Sequence, residues 1–220
     1  LAPLFGLASG DPAPLALTRG HTVACVGSAA MSCALAVLVA PTQAGSWAGV
    51  VGLPSCGVQA AADLGVSLER TVFVADPTSG SRASSQQADA AAVLSALVDG
   101  VDVLLLAHHV VNSLSPSLLR RLQTRVQSRG GILVVVNETN SSTSSLSADI
   151  RLTATTEQWQ GVGSGHGHLQ RRRVLLQLDG RRRARTSAHS VWLPDHRGQL
   201  SSVETTAENT GVVIPLRRVG

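Results

Sequence analysis

The chain has 220 residues, enough for one α/β domain with a substantial core and a short extension. Hydrophobic residues make up 44% and aromatics only 2%, so the core must be built from Val, Leu, Ile and Ala, and stacking platforms for single-stranded nucleic acid reduce to Trp159 and Trp192. All 18 basic residues are Arg, against 14 acids, for a net charge of +4. About half of the arginines lie between Arg171 and Arg218, so the basic character is local. No apolar run reaches the ~18 residues of a membrane-spanning helix, which argues against a membrane partner. No basic stretch followed by an apolar run and a cleavage site opens the chain, so a cytoplasmic location is expected. The absence of an initiator Met points to a processed, trimmed or incompletely assigned start. Cys25, Cys33 and Cys56 show no metal-type spacing and read as reduced core thiols.

In chain order, residues 1–16 are rich in Pro and Gly and read as a lead-in. Thr22 to Val26 is a short β-branched strand ended by Gly27, and Ala29 to Val39 favours helix. Pro41 to Ser46 reads as a loop, Trp47 to Leu53 as a buried strand, and Gly57 to Leu64 as a short helix closed by Gly65. Thr71 to Ala75 is a third strand, Gln86 to Val98 a helix and Val101 to Ala107 a fourth strand, apolar on both faces. Ser115-Pro116 is a helix start, with Ser at the N-cap and Pro at the first helical position. That helix places Leu118, Leu119, Leu122 and Val126 on one face and stops at Gly130-Gly131. Ile132 to Val136 is a fifth strand. Strands alternating with helices predict a parallel sheet with right-handed crossovers. After a polar loop, Asn137 to Ser147, two strands follow without a helix between them, Asp149 to Gln158 and Leu169 to Leu178. They predict an antiparallel hairpin joined by a Gly-rich turn. Three segments result: a lead-in at 1–16, a core at 17–180 and an arginine-rich, partly flexible tail at 181–220.

The strand–Gly–helix of Thr22 to Val39 has the frame of a phosphate-binding loop, G-x-x-x-x-G-K-[ST]. Gly27 takes the first Gly, Ser32 the second, Cys33 the Lys and Ala34 the Ser/Thr. The residues that would reach the phosphates and Mg²⁺ are missing, and no lysine elsewhere can stand in. An ordinary βα unit that never bound a nucleotide fits the loop equally well.

The order of motifs resembles the RecA recombinase core over Leu17 to Leu178. The carriers are LTRG-x-x-V-x-x-x-G from Leu17, Leu64-Gly65-Val66 followed by Glu69, Val101 to Leu106, Ile132 to Glu138, and Ala148-Asp149-Ile150-Arg151-Leu152. This implies a RecA-like P-loop NTPase fold, α/β, with a mostly parallel sheet, helices on both faces and an antiparallel C-terminal hairpin. More narrowly, Gly45-Ser46-Trp47-Ala48-x-Val50-Val51-Gly52-Leu53-Pro54, Leu97-Val98-Asp99-Gly100-Val101-Asp102 and Trp159-x-Gly161-x-Gly163-x-Gly165-His166-Gly167-His168-Leu169 resemble actinobacterial ImuA-type proteins, RecA-like accessory factors of the damage-induced mutasome.

Carried over position by position, the resemblance puts Ala107 at the Walker B Asp, Pro54 on or next to the water-activating Glu, and Glu138 at the Gln that senses the γ-phosphate. It implies a pseudo-ATPase with no catalytic residue and no cofactor. The family's DNA-binding loops fall at Val110 to Ser115, which is short, and at Asn137 to Ser147, which has neither Arg nor an aromatic ring. The implied function is a non-catalytic subunit supporting error-prone translesion synthesis. Its implied partners are an ImuB-type Y-family polymerase homologue and, through it, an error-prone C-family DNA polymerase. The alternative is a nucleotide-dependent RecA-like recombination ATPase that binds DNA.

Arg171, Arg172 and Arg173, then Arg181, Arg182, Arg183 and Arg185, flank the Val174 to Leu178 strand. With Trp192, read as exposed, they are the candidate partner- or DNA-binding set. A solvated charged edge that protects the strand accounts for the same residues. His166-Gly167-His168 and His108-His109 lack further ligands nearby, so no metal is assigned. Asp76 and Asp99 read as turn residues, and Asp102 as packing at a strand entrance.

Overall fold

The protein is described by a computed structural model over residues 17, 19–79, 83–139, 147–162, 167–180 and 187–203, without the side chains of 83–88 and 187. The β-branched and Leu-rich runs form β1 (Thr22–Val26), β2 (Ala48–Val51), β3 (Thr71–Val74), β4 (Val103–Ala107) and β5 (Ile132–Asn137). Between them lie α1 (Ala30–Gln43), α2 (Val58–Leu64), α3 (Ala83–Gly100), α4 (His108–Ser113) and α5 (Pro116–Arg129). β6 (Ile150–Val162), β7 (Gly167–Asp179), β8 (Ser187–Trp192) and the short β9 (Ser201–Ser202) follow.

The nine strands among the described residues belong to one sheet, in the order β3-β2-β4-β5-β1-β6-β7-β8-β9. The pairings from β3 through β6 are parallel, and β6 to β9 pair antiparallel. This is the α/β architecture expected, consistent with a RecA-like fold. β1, β2, β4 and β5 are buried at every residue, because helices cover both faces of the parallel half. α1 and α2 pack on one face with Val23, Cys25, Val134, Leu152 and Leu176. α3, α4 and α5 cover the other face with Leu104, Leu106, Leu133 and Val135. β6 and β7 alternate buried and open residues over their inner halves, as an antiparallel sheet with one wet face does.

Some elements differ from the sequence reading. α1 runs through Pro41 to Gln43, where a loop was expected. Thr42 is buried there, its hydroxyl donates to Leu38 O at 2.7 Å, and it accepts from Ser67 N at 3.1 Å, which ties the last turn to the chain after α2. The turn after β4 is a helix, α4, so Val110 and Val111 are core residues. Asp99 sits in the last turn of α3, where Arg125 Nε donates to it at 2.7 Å, so it is an ion-pair partner and not a turn residue. β8 and β9 fall in the segment assigned to the tail. β8 pairs with β7 over Arg173 to Leu178, and Leu193 just beyond it is fully buried. Arg181, Arg182, Arg183 and Arg185 lie outside the described residues, as do residues 140–146 of the polar loop.

Candidate functional site

The carboxyl ends of the parallel strands are where an α/β sheet of this kind offers a ligand crevice. At β1 the chain turns from strand to helix within three residues, Gly27 to Ala29. Ser32, Cys33 and Ala34 are therefore inside α1, not in a loop that could wrap phosphates, and Cys33 and Ala34 are fully buried. The turn is closed by β6, since Ala29 N donates to Ala154 O at 3.0 Å and Thr156 N donates to Ser28 Oγ at 2.9 Å. Gly27 has φ +111°, and a Cβ there would stand 2.4 Å from Ala154 O. Its glycine character answers to this close approach of β6. Cys25 donates to Ala30 O at 3.3 Å, and its pKa is raised by its hydrogen bond with Cys33 and by burial, which marks an inert core thiol.

Ala107, at the end of β4, is buried and carries no ligand atom on its side chain. Glu138, past β5, accepts from Ser55 Oγ at 3.0 Å, so the loops after β2 and β5 are linked by a hydroxyl and a carboxylate. One pair at this edge was not foreseen: His109 Nε2 lies 3.0 Å from Asp76 Oδ2. Asp76 Oδ1 also accepts from Thr78 N at 2.8 Å and Thr78 Oγ1 at 2.6 Å. Partial burial pushes the Asp76 carboxyl up, but these hydrogen bonds and His109 outweigh it, and the net direction is down. The signal was the His108-His109 pair directly after a strand, but only the β3–β2–β4 order brings Asp76 to it. Among the described residues no group of three or more His, Cys, Asp or Glu is placed to hold a metal ion.

The arginine run does not form one patch. On β7, Arg171 and Arg173 share a face and Arg172 takes the other, because strand residues alternate. Arg171 Nε donates to Gln160 Oε1 at 2.7 Å, and its guanidinium lies 4.0 Å from the centroid of the Trp192 ring. Arg173 Nε lies 2.9 Å from Glu157 Oε2. Arg172 is only 8% exposed. Its Nε donates to Leu193 O at 2.8 Å, its guanidinium lies 4.9 Å from the centroid of the Trp159 ring, and its Nη2 is buried with no partner. Burial lowers its pKa. Two expectations are corrected here. Arg172 is a core residue and cannot present its charge to a partner, and Trp192 is half-buried under Arg171, not exposed. Trp159, at 44%, is the exposed indole of the hairpin. Of the His166/His168 pair, His166 lies outside the described residues.

No helix among the described residues is long and apolar enough to cross a membrane. No curated protein matches the chain. The family model of the MT3502 N-terminal domain matches residues 12–141, more than half of the chain. The match runs from the lead-in past the end of β5 and leaves β6 to β9 beyond it. The chain therefore belongs to the MT3502 N-terminal domain family, a family associated with ImuA-like proteins.

Proposed function

We propose that this chain is a non-catalytic RecA-like accessory subunit of the ImuA-prime kind, acting in a damage-induced mutasome that carries out error-prone translesion synthesis. One observation carries the non-catalytic part. The positions of the phosphate-loop Lys and Ser/Thr are Cys33 and Ala34, both fully buried inside α1 behind a three-residue turn. Phosphoryl transfer depends on charge neutralisation and positioning, and neither side chain supplies it. The buried, apolar Ala107 at the end of β4 adds to this, since it offers Mg²⁺ no oxygen. The family membership supports the ImuA-like part.

The partner on this reading is an ImuB-type Y-family polymerase homologue, and through it a C-family DNA polymerase, with DNA a further candidate. Arg171, Arg173 and the exposed indole of Trp159, with exposed Val162 and Leu169 beside them on the hairpin, are groups that a partner could reach. Two measurements test the reading. Titration of the full chain with Mg·ATP is expected to give no heat and no change in Tm; saturable binding overturns the pseudo-ATPase and favours the nucleotide-dependent alternative. Co-purification of the full chain with the ImuB-type protein of its own genome is expected to give a stable complex. A folded chain that fails to bind overturns the accessory-subunit reading. Point variants are used, not truncations after β7, because β8 and Leu193 belong to the core.

A further inference from the structure

On the sheet face opposite α1, an open groove of about 440 Å³ runs along α5 beside α3. Ser95 of α3 and Leu118, Arg120, Arg121, Thr124 and Arg125 of α5 line it. α5 carries four arginines and no acid. Asp99 engages Arg125 and lies 3.8 Å from Arg129, which fixes one wall. Arg120 and Arg121 are exposed, and neither has an ion pair among the described residues. Leu118, half-buried, and Leu122, buried, are the apolar floor of this groove, which Ser95 and Thr124 also line.

We propose that this groove docks a short acidic segment of a partner protein, with one aliphatic side chain seated on Leu118 and carboxylates on Arg120 and Arg121. The charge selects the acidic character, because two uncommitted guanidinium groups match carboxylates in a bidentate fork. The floor selects peptide over nucleic acid: phosphates would use the arginines but leave Leu118 without a contact. The hydroxyls of Ser95 and Thr124 suit the peptide backbone. No residue of the groove belongs to the β1–α1 turn or to the hairpin, so its occupation is tested separately from the mutasome reading.

The test is fluorescence anisotropy with the full chain and a fluorescein-labelled peptide of Glu and Asp around one central Leu, at about physiological ionic strength. Saturable binding is expected, weakened about tenfold or more by the double variant R120E/R121E, as for arginine anchors at interfaces. Ser95→Trp, which fills the groove and changes no charge, is expected to weaken it comparably, and a peptide with Ser for the central Leu to bind more weakly. Arg120 and Arg121 are exposed and Ser95 half-exposed, so far-UV circular dichroism and Tm should stay at the native values. No saturable binding, or binding indifferent to R120E/R121E or to the loss of the peptide's Leu, overturns the proposal. So does a short DNA duplex that binds more tightly than the peptide and is equally sensitive to R120E/R121E, which would make the groove a phosphate site.

Discussion

Gly27 is the residue on which the β1–α1 turn depends. Its φ of +111°, and the 2.4 Å that would separate a Cβ from Ala154 O, leave no room for a side chain. Gly27→Ala is expected to cost about 2–4 kcal/mol, from strain and the displacement of β6. Gly45→Ala, also at positive φ (+92°) but with nothing within 4 Å, should cost about 1 kcal/mol. Urea denaturation of both variants separates the two causes; equal losses would remove the contact with β6 from the account. Arg172 makes a second residue-scale case. Because its Nη2 is buried without a partner, its packed stem should matter more than its charge. Arg172→Met is therefore expected within about 1 kcal/mol of the native protein and Arg172→Ala to lose more, from the cavity left beside Leu193 and Trp159. Nothing in the run Arg171–Arg173 distinguished its middle member. Strand alternation shows that neighbours face opposite ways, but which face is the core depends on α1 packing against β7.

Element ends were the most legible features, because caps act over a few residues. Ser115 is the N-cap of α5, accepting from Leu118 N at 3.4 Å, and Gly130 closes the helix at φ +66°. Ser115→Ala should cost about 1 kcal/mol, read as a lower Tm. The end of α1 is hidden from a local reading for the opposite reason: Thr42 holds the turn at Pro41 through a bond to Ser67 N, a partner far along the chain. The β8–β9 connection behaves likewise. Asp195 is buried, and its Oδ1 accepts from Arg197 N at 2.8 Å and Gln199 N at 2.9 Å. Burial pushes its pKa up, but these bonds, with Ser201 and His196, outweigh burial and bring the folded value below the ordinary one. A carboxyl depressed on folding stabilises the protein above its unfolded pKa and stops doing so as pH falls through the folded value. Asp195→Asn should thus cost about 1 kcal/mol at neutral pH, and the gap to the native protein should close in acid below the usual carboxylate range. A gap constant with pH would show that the charge contributes nothing.

At the scale of the molecule, the sheet has no break between the parallel half and β6 to β9. Val191 is 1% and Leu193 0% exposed, so the segment after β7 completes the core under α1. Leu193→Ala is expected to cost about 2–5 kcal/mol, with a matching drop in the urea midpoint; a neutral outcome would make β8 an accessory edge. The sequence by itself determined the α/β alternation, the order of the strands along the chain, the capped ends of α5, and the loss of Lys and Ser/Thr from the phosphate-loop frame. These are local patterns of period, cap and residue type, and they need no partner distant in sequence. Only the tertiary structure decided that Gly27 serves β6, that Arg172 is buried while Arg171 and Arg173 are not, that Asp76 meets His109, and that α5 and α3 leave two arginines over an apolar floor. Each of these rests on which strand or helix lies beside which. That placement follows from the crossover topology and from burial of both sheet faces together, and no short window of residues contains it.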